Sequence, residues 1–181
     1  MTAPTVLTVC TGNICRSPAG EILIREHLGA HVVSASAGTN ALDGTGIPEP
    51  MLAELAADSL DGSRHSGRQL TPALLDEADL VITMTAAHRQ HVVQLHPRAL
   101  RRTFTLAELA AAAGTGAELT GTAVPERLAS LPTAIAAHRP VLAGYDFVDV
   151  PDPYRRSQAD YHEAYTLIRA AVEEFCTWLR G

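Results

Sequence analysis

Lysine is absent from this chain of 181 residues; the 14 Lys and Arg side chains are all arginine, none in a run longer than a pair, and the formal charge is −6. That balance supplies no basic stripe to neutralise a phosphate backbone or an anionic lipid surface, which argues against nucleic acid or membrane as the main partner. Together with abundant alanine, the missing lysine reads as genomic composition bias and carries no function. The sequence also lacks any stretch of about 18 apolar residues and any secretory-type apolar segment near its start, so membrane insertion is not expected. Cysteine is scarce, with Cys10, Cys15 and Cys176 alone. A disulfide framework is thereby excluded, and a reducing, cytoplasmic setting is expected.

What is present is 46% hydrophobic residues over a length suited to one well-buried domain spanning 1–181. Short β-branched and apolar runs alternate with helical patterns. Strands are predicted at Thr5 to Val9, His31 to Ala37, Leu80 to Met84 and Arg102 to Thr105, with helices at Pro18 to Leu28, Pro48 to Asp58, Thr71 to Ala78 and Thr85 to Leu95. This alternation implies an α/β fold of three layers, a four-stranded parallel sheet with helices on both faces. Tyr161, Tyr165, Ile168, Val172, Phe175 and Leu179 recur at helical steps and predict one more helix packed on that sheet by a single apolar face. Residues 106–147 are harder to read: a helical stretch to Ala113, a Gly/Thr linker from Gly114 to Thr122, and a helix from Pro125 to His138. They are expected to form an insertion or elaborated loop, with a solvated decoration favoured over a wall of a site.

One segment carries chemistry. Cys10-Thr11-Gly12-Asn13-Ile14-Cys15-Arg16-Ser17 follows the first strand directly, and Ser17-Pro18 reads as a helix start with Ser as cap and Pro at the first helical position. In such a turn several backbone amides lack partners and, aided by the positive end of the helix dipole, make a cradle for a phosphate dianion. Gly12 is expected to give a position free of Cβ clashes, and Asn13 to tolerate a left-handed conformation. The amides, the helix terminus and Arg16 all favour the charged thiolate of Cys10, the nucleophilic form of the side chain. Arg16 offers a planar fork to two phosphoryl oxygens, Ser17 a hydroxyl to the sulfur, and Asn13 a brace for the ring. Cys-x5-Arg spacing alone is cheap; the strand before it, the glycine and asparagine inside it and the Ser-Pro after it make it specific. A leaving oxygen needs a proton that Cys10 does not supply, and Asp146, Asp149 and Asp152 near the Pro-braced segment before Tyr154 all qualify as donor.

These residues resemble the signature loop of the low-molecular-weight protein tyrosine phosphatases. The likeness extends through Ser36-Ala37-Gly38, His65 to Leu70, Ala78 to Met84 and Asp152-Pro153-Tyr154, covering 5–105 and 148–179; 106–147 departs from the family and is longer than usual. The resemblance implies hydrolysis of a phosphorylated protein in two steps through phosphocysteine on Cys10, with Asp152 as acid, and a loop (Thr11, Gly12, Asn13, Ile14, Cys15 and Ser17) that also takes inorganic phosphate or related oxyanions. It further implies supporting roles for Ser36 and His65, an aromatic wall at Tyr154 suited to phosphotyrosine, and a Cys10–Cys15 pair able to close a disulfide under peroxide. Thr11 is small and polar where tyrosine-directed members carry a larger aliphatic residue, and in this it is similar to the phosphoarginine branch; tyrosine is ranked first.

No cofactor or metal is called for. His88, His91 and His96 lie on one helix with no matching cysteine or carboxylate cluster and read as a solvated face. A thiol-dependent arsenate reductase would need relay cysteines, and none lies between Cys15 and Cys176. A phosphocysteine carrier would have to keep its phosphoryl group, and Arg16 with Asp152 argues for turnover instead; a phosphate-binding module without catalysis is separated by the release of nitrophenol from para-nitrophenyl phosphate.

Overall fold

Four short runs of apolar and β-branched residues pair side by side in the computed structural model, which describes residues 2–181. They are β1 (Thr5–Cys10), β2 (Val33–Gly38), β3 (Leu80–Thr83) and β4 (Thr103–Thr105), all parallel, in the order β2-β1-β3-β4. Among the described residues seven α-helices accompany them: α1 (Arg16–Leu28), α2 (Glu49–Ala57), α3 (Pro72–Glu77), α4 (Ala86–Leu95), α5 (Leu106–Gly114), α6 (Val124–Leu142) and α7 (Gln158–Arg180). A 3-10 turn over Pro97–Arg102 joins α4 to β4. None of the described helices is long and apolar enough to cross a membrane.

Strand periodicity divides the interior in two. Val6, Cys10, Leu80, Ile82 and Phe104 face the layer containing α1, α5 and α7, where the larger core forms. Leu7, Val9, Ala37 and Val81 face the other way, onto Leu75 of α3, Val92 of α4 and Ala99. The three-layer arrangement expected from alternation is therefore the observed one. The predicted stripe on α7 is buried along its length. Ser157 opens that helix, its hydroxyl accepting from the Asp160 amide while the Asp160 carboxylate accepts from the Ser157 amide.

Two expectations change. Residues 106–147 are not a solvated decoration: Leu106 and Leu109 of α5 and Leu128, Leu131 and Ile135 of α6 belong to the larger core. The helix expected to stop at His138 also runs on to Leu142, through Pro140. A proline in that position forfeits one helical hydrogen bond, but burial of Leu142 in the core holds the last turn.

Close seating of α1 on the sheet fixes the geometry that follows. A Cβ on Gly20 would lie 3.0 Å from Met84 Cε and 3.4 Å from Thr8 Cγ2, so a glycine lets the helix approach β1. The buried Thr8 hydroxyl then donates to the Ser17 carbonyl at 2.8 Å, tying strand to helix. Strand β1 runs between β2 and β3, with the chain crossing first to one side and later to the other. Its carboxyl end, Cys10, is thus at the switch point where ligands bind open parallel sheets.

Phe175 of α7 is fully buried in the larger core. Phe175→Ala should lower stability by about 3–5 kcal/mol, read as a fall in the urea midpoint at unchanged slope.

Candidate active site

Carbonyl groups of the loop after β1 are directed into the protein body. Cys10 O accepts from Thr39 N at 2.9 Å, Thr11 O from Asn40 N at 3.0 Å and Gly12 O from Leu42 N at 3.0 Å. Asn13 O lies 2.6 Å from His65 Nε2. Among the described residues, no protein acceptor takes the amide hydrogens of Thr11 through Cys15. A turn with its carbonyls engaged and its amides unspent, set at the amino end of α1, is an anion nest.

Asn13 holds the turn in shape. Its φ of 55° is left-handed, as expected, and its side chain is fully used: Nδ2 donates to Ser17 Oγ at 3.0 Å and Ser36 Oγ at 2.9 Å, while Oδ1 accepts from Arg68 N at 2.9 Å. Ser36 passes its own hydroxyl hydrogen to Glu21 Oε2 at 2.6 Å. His65 and Ser36 thus contact Asn13 of the loop directly, and Glu21 and Arg68 join them.

The glycine and serine expectations need correction. Gly12 is outside the left-handed region, and a Cβ there would meet nothing nearer than Ile14 Cγ1 at 3.5 Å. The glycine that the close approach demands is Gly38, where a Cβ would fall 2.4 Å from Thr11 O and 3.0 Å from Asn13 N. Ser17 is not the cap of α1: the helix begins at Arg16, and the preceding Cys15 offers no side-chain cap bond. The Ser17 hydroxyl is directed instead at Cys10, 2.9 Å from its sulfur.

The Arg16 side chain is buried and anchored at both ends of its fork. One nitrogen donates to Val150 O at 3.1 Å, and the other lies 3.1 Å from Asp152 Oδ2. Val150 in turn donates its amide to Met84 O at 3.0 Å, which binds the segment before Asp152 to the end of β3. Asp149, the rival acid, is occupied in accepting from Ala86 N at 2.8 Å at the start of α4. Asp146 is exposed and does not line the pocket, whereas Asp152 does. That pocket, of about 150 Å³, is bounded by Cys10, Thr11, Gly12, Ile14, Cys15 and Arg16 at its base and by Asn40, Leu42, Asp152 and Tyr154 at its rim. Arg155 lies over the Tyr154 ring, 5.1 Å from its centroid.

His88 is the residue that pattern reading misplaced. Instead of a solvated face it is 7% exposed, with Nε2 2.9 Å from the Thr11 hydroxyl; His91 remains exposed, and His96 lies 2.9 Å from Asp76. Burial, then the Arg16 guanidinium, pushes His88 down to about 4. Burial and the neighbouring Cys10 push the Cys15 thiol up to about 12. Burial does the same to Cys176 on α7.

The low molecular weight phosphotyrosine protein phosphatase family matches residues 5–120 of this chain. The chain belongs to this family. A low molecular weight protein-tyrosine-phosphatase of Streptomyces coelicolor is 33% identical over 92% of this chain and 87% of that one. The probable phosphatase EpsP of Ralstonia nicotianae is 29% identical over 98% and 97%. Among solved structures, Vibrio vulnificus Wzb in complex with benzylphosphonate superposes with a TM-score of 0.74 at 26% identity, covering 97% of this chain and 99% of that one. The protein is accordingly a cysteine-dependent phosphatase, and its nest, thiol and guanidinium are the parts such a hydrolase needs.

Two outcomes follow for the phosphatase. Iodoacetamide at neutral pH should label Cys10 ahead of Cys15 and Cys176, because the latter two are held as thiols; peptide mass mapping checks this. The second concerns stability. As pH falls from 6.5 towards about 4, the unfolded chain protonates at position 88 before the folded one does, so wild-type stability should decline through that window and level off below it. Melting curves of His88→Gln should decline less over the same range.

Proposed function

We propose that this phosphatase hydrolyses phosphotyrosine in protein substrates through a phosphocysteine intermediate on Cys10. The observation that carries the reading is convergence: Cys10, the Arg16 fork and the Asp152 carboxyl meet at one pocket whose floor is the amide nest and whose rim holds Tyr154. An arriving phosphoryl dianion takes the Arg16 nitrogen now facing Asp152, and the freed carboxyl stands beside the leaving oxygen. Sulfur then displaces that oxygen in line, the P–O bond breaks as the S–P bond forms, and Asp152 donates the proton that the phenolate requires. In the second step water attacks phosphorus, its proton returns to Asp152, and phosphate departs while the Ser17 hydroxyl supports the leaving sulfur. Amides and guanidinium tighten on the equatorial oxygens as the transferring group flattens.

The flat ring of Tyr154, in a pocket that Leu42 also lines, suits a phenyl ester, and the benzylphosphonate in complex with Wzb of Vibrio vulnificus is an aryl-bearing ligand. Thr11 favours a second reading, a protein arginine phosphatase, because a small polar residue lines the same pocket. In either case residues 1–181 act as one catalytic domain. The 106–147 segment leads the chain into the Asp149–Tyr154 loop without lining the pocket. Thiol chemistry of this kind suits a reducing compartment such as the cytoplasm.

Release of nitrophenol from para-nitrophenyl phosphate tests the mechanism. Wild-type turnover should be blocked by vanadate and abolished in Cys10→Ser. Asp152→Ala should slow esters of poor leaving groups by roughly 100-fold or more while sparing good ones, which need little protonation. That pattern in Asp149→Ala or Asp146→Ala instead would overturn the choice of acid. Parallel assays on phosphotyrosine and phosphoarginine peptides, with Thr11→Ile as control, decide the substrate; a phosphoarginine preference that disappears in Thr11→Ile reverses the ranking.

A further inference from the structure

His88 of α4 is buried with one ring nitrogen, Nε2, 2.9 Å from Oγ1 of the pocket residue Thr11 and the other, Nδ1, without any hydrogen-bond partner among the described residues. A neutral imidazole has a single ring proton to place. On Nδ1 it would create a buried N–H with no acceptor; on Nε2 it leaves only a bare lone pair at Nδ1 and gives Thr11 a donor. Orphaned buried N–H groups are the rarer and costlier of the two. The ring is neutral at pH 7, since burial and Arg16 push its protonation down to about 4.

The Thr11 hydroxyl has no other protein partner among the described residues. Taking a hydrogen bond on its oxygen, it keeps its own hydrogen for the pocket it lines, and a hydroxyl that accepts one bond donates the next more strongly. With the opposite tautomer that hydrogen would be spent on the ring, and only lone pairs would face an incoming anion.

We propose that His88 is a positioning residue: its Nε2–H holds Thr11 by the oxygen, so that the Thr11 hydroxyl hydrogen serves as an additional donor to the phosphoryl group. This rests on the reading of the Cys10 pocket as the phosphoryl site. It makes the specificity of position 11 a property of two side chains, one of them on α4.

The test has two arms. In the wild-type protein, long-range nitrogen–proton NMR correlations of the His88 ring should show the Nε2–H tautomer at neutral pH; an Nδ1–H tautomer overturns the proposal. In the second arm the inhibition constant for inorganic phosphate is measured against nitrophenyl phosphate turnover. Thr11→Val and His88→Leu should each raise it about fivefold to tenfold, the worth of one neutral hydrogen bond, and the double variant should raise it no further. His88→Gln, whose side-chain amide can still donate, should stay within about twofold of wild type. An unchanged constant in His88→Leu, or penalties that add in the double variant, overturns the proposal. If His88→Leu does not fold, the tautomer decides. Failure of the underlying site reading would show separately, as undiminished turnover by Cys10→Ser.

Discussion

A polypeptide leaves a run of amides without partners only when the carbonyls on the same residues are held elsewhere, because a free loop would exchange both for water or fold them on each other. Here the carbonyls of Cys10, Thr11, Gly12 and Asn13 are taken by Thr39, Asn40, Leu42 and His65, groups supplied by the crossover after β2 and by the segment that follows α2. Asn13 adds the complementary constraint. Its left-handed backbone turns the ring, and its amide side chain, bonded to Ser17, Ser36 and Arg68, prevents the ring from relaxing. Everything the pocket offers an anion depends on this outward capture.

The electrostatics follow from where the charges are buried. Arg16 would be costly to bury alone, and it is compensated by a carbonyl and by a half-exposed carboxylate. The carbonyl partner is fixed by β3, while the carboxylate is carried on the loop ending at Tyr154, so an arriving dianion exchanges with the second and leaves the first in place. A protonated His88 would set a second positive charge against the Arg16 guanidinium. The neutral state of His88 avoids that repulsion, and burial of the ring is the larger reason that it stays neutral.

Local chemistry was legible in the sequence. The strand, the turn, the thiol, the guanidinium and the apolar stripe of α7 are all written in contiguous residues, and the structure has them at or near the expected positions. Non-local pairings were not legible. Ser17 carries a capping signature that its contact with Cys10 overrides, and the glycine demanded by close approach proved to be Gly38 on β2, since nothing along the chain shows which strand Thr11 O will touch. His88 shares a helix with the exposed His91, and an apolar period too weak to assign its face left it among surface residues. Glu21 lies one helical turn after Ser17, a spacing that places both on one side of α1, yet its bond to Ser36 required knowing that β2 runs alongside.

The three candidate aspartates show how far sequence alone carries the choice of an acid. Asp146, Asp149 and Asp152 occupy seven residues with similar local character, and turn propensity does not rank them. What separates them is α4: its first amide takes Asp149, and the Val150 amide is bound to the end of β3, so the next carboxylate with freedom to reach the pocket is Asp152. The Asp152 Oδ1 contact with the Tyr154 amide, at 3.2 Å, then orients the carboxyl and the aromatic wall together. A helix start about 60 residues upstream thus consumes the competing carboxyl and leaves Asp152 as the one that pairs with Arg16.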